Sequence, residues 1–369
     1  MGMHKGPSDY SHDSIPTTGI LITNLGTPDE PTPAAVRRYL KEFLWDPRVV
    51  EIPRPVWWLV LHALVLTTRP RKSAHAYTQI WSDDGSPLMA YSKRQRDALE
   101  KSLETRIKGP VKVALGMRYG NPSIASALEE LCAANARRIL VFPLYPQHSA
   151  ATTASTLDAV AMTLQQWRQV PDLRFIAQYH DHPGYIGALS SSIRQFWERH
   201  AQPERLLFSF HGMPRRTLLA GDPYHCQCQK TARLVAEQLG LDDGAWSVAF
   251  QSLFGREEWL RPYANETLEQ LGKQGLKSVD VVCPGFSADC LETLEEMALQ
   301  NKRVFEQAGG GDYRYIPALN DAPEHISALT DIVLQNVSAW PGIDTWNADT
   351  ASLEAEESRR RALAMGARQ

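Results

Sequence analysis

The chain has 369 residues, 43% of them hydrophobic and 22% charged. That composition suits a globular chain with material for a sizeable core, and at ~150 residues per domain the length suggests two domains. Basic residues number 39 and acidic ones 42, a formal charge of −3 that argues against nucleic-acid binding driven by bulk positive charge.

The chain opens on Met1–Thr18, a stretch rich in Ser, His, Asp and Gly with no apolar signal-peptide core, and disorder is expected there. Gly19–Leu25 is the first apolar strand-like run. Further on, Val56–Leu66 reads VWWLVLHALVL and is followed by Arg69, Arg71 and Lys72. It is far shorter than the ~20 residues of a membrane span. It reads equally well as a core helix or as an apolar lip with a basic edge, touching a membrane or an apolar ligand.

Strand-like runs recur at Val111–Met117, Arg138–Phe142, Leu173–Gln178, Leu206–Phe210, Trp246–Gln251, Ser278–Cys283 and Tyr313–Ile316. Helical patterns such as Ile124–Asn135 and Thr231–Leu239 lie between them. This alternation predicts an α/β fold with parallel sheets. The tail, Thr345–Gln369, is charged and Ala-rich without an apolar stripe, and is expected to be disordered or loosely helical.

Two halves echo each other. LITNLGTP (Leu21–Pro28) resembles LFSFHGMP (Leu207–Pro214), and RRILVFPLYPQ (Arg137–Gln147) resembles KSVDVVCPGFS (Lys277–Ser287). The first half carries extra length, assigned to Phe43–Gln95. The expected organisation is an N-terminal α/β domain over 19–178 with a hydrophobic lip around 43–95. A C-terminal α/β domain follows over 179–340, its last helix packing on the first. Doubly wound sheets bind ligands beyond the carboxyl ends of their strands, so a cleft between two such domains is the expected site.

Three side chains there suit chemistry. His211 ends the strand Leu206–Phe210 just before Gly212, as a functional imidazole or merely a loop cap. Glu292 follows Ser278–Cys283, and with Asp289 it has the spacing of a capping box, a purely structural alternative. Glu292 and Glu296 are also i, i+4 neighbours whose mutual repulsion a cation or a proton would relieve; Glu295 points elsewhere and is expected to be solvated. Imidazole with carboxylate suits Fe2+ and proton abstraction near neutral pH.

The five cysteines, Cys132, Cys226, Cys228, Cys283 and Cys290, are odd in number and lack zinc-like spacing, as expected of a reduced cytosolic chain. Cys283 reads as a small core residue. G-x-G-x-x-G, G-x-x-x-x-G-K-[ST] and G-x-S-x-G motifs are missing, which disfavours dinucleotide, P-loop and α/β-hydrolase chemistry.

From Gly19 to Val337 the chain resembles ferrochelatases. GILITNLGTPDEP, GSPLMAYS (Gly85–Ser92), GMRYGNP (Gly116–Pro122) and FPLYPQHSAATTAST (Phe142–Thr156) come in family order. FSFHGMP, GDPY (Gly221–Tyr224), FQSLFGREEWLRP (Phe250–Pro262) and CPGFSADCLETLEE follow, the last in the form of the Gram-negative bacterial branch. The resemblance implies two Rossmann-like domains with parallel sheets and a porphyrin cleft between them. It implies insertion of Fe2+ into protoporphyrin IX to give protohaem with release of two protons, the last step of haem biosynthesis. The alternatives are coproporphyrin iron insertion, cobalt insertion into a related tetrapyrrole, or non-catalytic haem binding on the same fold.

By the same resemblance His211, Glu292 and Glu296 are the catalytic residues, with His211 and Glu292 as metal ligands. Arg118, Tyr119, Trp259, Trp57 and Trp58 would contact the substrate. Arg37, Arg38 and Arg118 are candidates to meet the propionates. The implied partners are porphyrin and ferrous iron, with no nucleic acid and with room for peripheral membrane contact through the lip. The expected location is the cytoplasm, at most peripheral to the inner membrane. Fe2+ is substrate and no permanent cofactor is expected. Three departures stand out. Cys290 replaces a frequent His. Gln300 replaces a third acid on the carboxylate helix. No cysteine follows Cys290, so no iron–sulfur cluster of the animal type is expected.

Overall fold

A computed structural model describes residues 4–6, 11–255 and 257–367. Among the described residues, eight parallel strands form two four-stranded sheets. The first contains β1 (Thr17–Gly26), β2 (Val111–Tyr119), β3 (Ala136–Pro143) and β4 (Asp172–Phe175), ordered β2-β1-β3-β4. The second contains β5 (Arg205–His211), β6 (Trp246–Gln251), β7 (Ser278–Val282) and β8 (Asp312–Ile316), ordered β6-β5-β7-β8. Both sheets thus share one topology. It pairs β1 with β5 and β3 with β7, the strands whose sequences echo each other.

These strands are near-continuous apolar runs because helices cover both faces of each parallel sheet. Ile20, Leu21 and Ile22 of β1, and Leu207, Phe208 and Phe210 of β5, are fully buried. One apolar cluster runs from Ile20, Ile22 and Leu140 of the first sheet to Phe208, Phe210 and Val282 of the second. The helix Pro323–Val337, which follows β8, packs against Pro183–His200 and Pro87–Arg106. Thr330 Oγ1 donates to Ser102 Oγ at 2.9 Å, tying the end of the second half to a helix of the first.

The extra length of the first half lies between β1 and β2. It forms the helices Pro33–Trp45 and Arg54–Val60, the π-turn Leu61–Val65, and the helices Leu66–Ile80 and Pro87–Arg106.

The N-terminal segment is more ordered than expected, and the tail takes the helical one of its two expected forms. Residues 1–3, 7–10, 368 and 369 lie outside the described part. Within it, Lys5 pairs with Trp167, and Thr17 and Thr18 already belong to β1. The tail forms a 17-residue helix, Ala348–Ala364. Local interactions replace the missing apolar stripe. Asn347 Oδ1 accepts from Thr350 N at 2.8 Å, and Arg361 pairs with Glu357 at i, i+4. Arg359 meets Asp13 at 3.2 Å, tying the tail to the N-terminal segment.

Candidate active site

His211 is the last residue of β5, at the carboxyl end of the second sheet. Its Nδ1 lies 2.7 Å from Gly212 O. A carbonyl oxygen can only accept, so Nδ1 carries the hydrogen and the neutral ring keeps its lone pair on Nε2. Gly212 is required by close approach: a Cβ there would lie 2.6 Å from Gln251 O and 3.1 Å from the Trp259 ring. The same packing brings Trp259, nine-tenths buried, against the His211 loop. Its indole Nε1 is buried without a hydrogen-bond partner among the described residues.

Gln251 is paired in register with His211 across β5 and β6. Its side chain is fixed by Ser209 Oγ, which donates to Oε1 at 2.6 Å. Its Nε2 donates to Glu292 O at 2.8 Å. The strand carrying His211 and the segment carrying Glu292 are thereby joined through one buried amide.

Glu292 opens a ten-residue π-helix, Glu292–Asn301. Wider than an α-helix, it bonds i to i+5, a geometry that recurs at functional sites. Asn301 Nδ2 reaches Glu296 O at 3.1 Å, and Gln300 Nε2 donates to both oxygens of Glu295 at 2.7 Å. Glu295 is therefore buried and hydrogen-bonded, contrary to the expectation of a solvated side chain: the i, i+5 repeat turns it toward Gln300. Gln300 serves Glu295 and adds no rung beyond Glu296.

The capping-box alternative for Glu292 also fails. The start of this helix is closed by Thr293 Oγ1, which accepts from Cys290 N at 2.9 Å. Asp289 is held instead by Tyr315 OH at 2.7 Å and Asn320 Nδ2 at 2.8 Å. The Glu292 carboxylate lies beside the Cys290 thiol, and its charge acts on the buried phenols of Tyr39 and Tyr77 from the first half.

Glu296 stands behind it. Burial raises its carboxyl above the ordinary range, and Glu292 adds to that rise. Ser252 opposes it with two donors, N to Oε1 at 2.7 Å and Oγ to Oε2, and so does His211 whenever its ring carries a second proton. His211, Glu292 and Glu296 are thus brought to one place.

The predicted substrate residues divide. Arg118 and Tyr119 end β2. Arg118 Nε donates to Ser155 Oγ at 2.6 Å and its guanidinium pairs with Asp46. Tyr119 OH donates to Asp46 at 2.8 Å. Burial works against the Asp46 carboxylate, but Ser155, the Arg48 backbone, Tyr119 and Arg118 outweigh it and hold it below the usual range. Arg118 therefore already has a carboxylate partner. Arg37 is engaged too. Pro70 has no N–H for the carbonyl four residues before it, and Arg37 fills that vacancy by donating to Leu66 O at 2.8 Å. Arg38 is exposed, 3.5 Å from Asp29.

Trp57 and Trp58 also part company. Trp57 is 3% exposed, packs with Leu44, Leu61 and Leu66, and donates to Leu44 O at 2.6 Å, so it is a core residue and not a surface contact. Neighbours on a helix face different ways, and Trp58 is 54% exposed beside exposed Val56, Leu59 and Leu64.

Sequence reasoning overlooked Arg69 as an individual. Its guanidinium lies 4.0 Å from the centre of the Phe254 ring, reaching from the helix Leu66–Ile80 to the loop after β6. Burial lowers its proton affinity, and no ion pair to it occurs among the described residues. Ser252, Tyr39 and Tyr77 were missed as well. Ser252 alone had a signal, its place just beyond a parallel strand. Among the cysteines, Cys283 is buried as expected, Cys228 and Cys290 are also buried, and Cys226 is exposed.

The family sequence model described as Ferrochelatase matches residues 17–337. The ferrochelatase of Nitrosococcus oceani is 57% identical over 366 residues, 99% of each chain. That of Thioalkalivibrio sulfidiphilus is 56% identical over 364 residues, 98% of this chain and 99% of the relative. Among solved structures, SirB from Bacillus subtilis with Fe3+ aligns over 89% of this chain and 99% of its own, with a TM-score of 0.53 at 12% identity. At that identity the likeness concerns the fold alone, a two-sheet α/β architecture shared with a chelatase. The chain belongs to the ferrochelatase family, lyases that insert iron into a porphyrin in haem biosynthesis.

Proposed function

We propose that this chain inserts Fe2+ into protoporphyrin IX at a centre formed by His211, Glu292 and Glu296, in a cleft between the halves 19–178 and 179–340. The observation that carries the reading is the juxtaposition of an imidazole whose Nδ1 is held by Gly212 O with two neighbouring carboxyls, of which Glu296 has a raised proton affinity. The reaction exchanges two pyrrole protons for one Fe2+ and needs no oxidant or reductant. A flat macrocycle hides its N–H groups in its own plane, so the protein must bind it bent, using binding energy for distortion.

Nε2 of His211 faces one such proton or the incoming metal. Both need the same lone pair, so the two roles exclude each other at any instant. Glu292 and Glu296 supply the complementary site: the raised affinity of Glu296 lets it hold a proton that an exposed Glu would release. Trp259 offers an apolar face with an unsatisfied N–H. Arg69 suits a propionate, because among the described residues its half-buried guanidinium meets an aromatic ring and no carboxylate. Iron is substrate here, and no resident cofactor is required.

The exposed row Val56, Trp58, Leu59 and Leu64, with Arg71 and Lys72 nearby, supports a peripheral lip at the inner membrane of a cytoplasmic enzyme. Among the described residues no helix is long and apolar enough to cross a membrane.

The deciding assay is anaerobic, with purified protein, Fe2+ and either protoporphyrin IX or coproporphyrin, followed by absorbance. Catalytic haem formation from protoporphyrin IX is expected. Protein that binds added haem but forms none would be a carrier. Turnover only with coproporphyrin would move the substrate assignment.

A further inference from the structure

Asp222 lies at the end of the segment that leaves β5 after His211 through the short helix Arg215–Leu219, and it reaches the other half of the molecule. Its Oδ2 accepts from Ala150 N at 2.8 Å and from Ser149 Oγ at 3.4 Å, both beyond β3 of the first sheet. Its Oδ1 accepts from Tyr224 N at 3.0 Å in its own half. Each carboxylate oxygen thus holds one backbone N–H, one on either side of the seam.

Both ends of this bridge lead to the site. Ala150 opens the π-turn Ala150–Ala154, which runs into the helix Ser155–Leu164. Ser155 is the residue that holds Arg118 and Asp46. On the other side, the buried Tyr224 hydroxyl lies near enough to the His211 backbone for that backbone to stabilise its ionised form. Two neutral contacts lie along the same seam, His148 N to Gln227 Oε1 at 2.7 Å and Gln147 Nε2 to Thr231 Oγ1 at 3.0 Å. Asp222 is the charged member of these three contacts, and hydrogen bonds to an ionised acceptor are the stronger ones; the other charged link from this segment, Arg216 to Glu51 at 2.6 Å, is solvent-exposed and screened.

We propose that Asp222 is a positioning residue for iron insertion, setting the span between the His211 side of the cleft and the wall built on Arg118, Tyr119 and Asp46. This rests on the chelatase reading above. A macrocycle is bent only if the groups on its two sides cannot move apart. With the bridge cut, the cleft still binds porphyrin but presses on it less, so the loss falls on turnover rather than on binding.

The bridge can be cut from either side. Asp222→Asn leaves one acceptor oxygen for two N–H groups. Ala150→Pro removes the donor itself, at a first helical position where proline is tolerated. The preceding Ser149 is already extended, φ −140° and ψ 148°, as a residue before proline prefers. Each variant is expected to lower kcat by roughly tenfold and to change the porphyrin Kd by less than about threefold. In each, the out-of-plane resonance Raman bands of bound protoporphyrin should weaken. The double variant should be no more than about twofold worse than either single one, because both cut the same link. Leu268→Ala, a core change on the outer side of the second sheet, is the stability control and should lower Tm while kcat and the Raman bands stay as in the wild type.

If Asp222→Asn and Ala150→Pro both keep wild-type kcat and Raman bands while Tm falls, Asp222 is only a structural tie and the proposal is overturned. If Asp222→Asn does not fold, Ala150→Pro decides alone. A wild-type protein that forms no haem defeats the activity reading itself, and this is seen before any variant is compared.

Discussion

Ser252 grips Glu296 through two separate donors, its backbone N–H on one carboxylate oxygen and its hydroxyl on the other. The backbone there is left-handed, φ +65°, which turns the N–H and the side chain toward the same acceptor. Both bonds favour the ionised carboxylate and counter the rise caused by burial.

Ser252→Ala keeps the N–H and loses the hydroxyl. Glu296 should then hold its proton more tightly. A hydrogen bond to a charged group contributes ~1.5–3 kcal/mol, so the acidic limb of the kcat–pH profile should move up by about one to two units. Tm should change little. An unshifted acidic limb in Ser252→Ala would mean that the hydroxyl does not tune Glu296.

The two tryptophans of the lip should separate cleanly. Trp57→Ala empties a buried site and removes a hydrogen bond to Leu44 O, so a loss of ~3–5 kcal/mol in denaturant unfolding is expected. Trp58→Ser should leave unfolding almost unchanged and weaken binding to anionic vesicles, read by sedimentation. Equal vesicle binding by Trp58→Ser and wild type would remove the lip from any membrane role.

His325 should make stability acid-sensitive. It is fully buried, and burial lowers its pKa to about 4, only partly offset by the Asn320 carbonyl that Nδ1 meets. A free His titrates near ~6.5, so the folded protein binds fewer protons than the unfolded chain between those values. The contribution is therefore fully present above about pH 6.5 and is lost as pH falls toward about 4. It amounts to roughly 3 kcal/mol. Urea unfolding of wild type and His325→Phe at pH 7.5 and pH 5 checks this: the wild type should weaken on acidification and the variant clearly less.

The eight strands could be read from residues because parallel strands covered on both faces are apolar runs, and such runs are unambiguous when turns bound them. His211 was legible for a related reason, as a polar residue where an apolar strand stops. What composition could not disclose was helix type. An α-helical reading of Glu292–Gln300 placed the acids nearly correctly, yet it missed the i, i+5 pairing that buries Glu295 under Gln300. Nor could it disclose long-range partners. Arg118 looked available for a propionate until Asp46, far away in sequence, was seen against it. The tail was legible only as disorder or a loose helix, because its order comes from a cap, short-range ion pairs and a tie to Asp13 rather than from an apolar stripe.

Glu292 and Glu296 offer the most direct test of the centre. Glu292→Gln removes the charge while its backbone carbonyl, which holds Gln251, stays in place. The helix start is closed by Thr293, whose hydroxyl accepts from Cys290 N and donates to Asp289, so this change should cost little stability. Insertion should nevertheless be abolished, because the carboxylate beside Cys290, Tyr39 and Tyr77 is lost. Glu296→Gln should lower kcat clearly but less, since Glu292 remains. No further acid takes over, because Gln300 is turned to Glu295. If the two carboxyls serve one step, the double variant should be no slower than Glu292→Gln alone. The measurements are kcat and Tm for all three variants. Retained turnover in Glu292→Gln at unchanged Tm would mean that Glu292 takes no part in insertion. A double variant much slower than either single one would mean that the two acids act in separate steps.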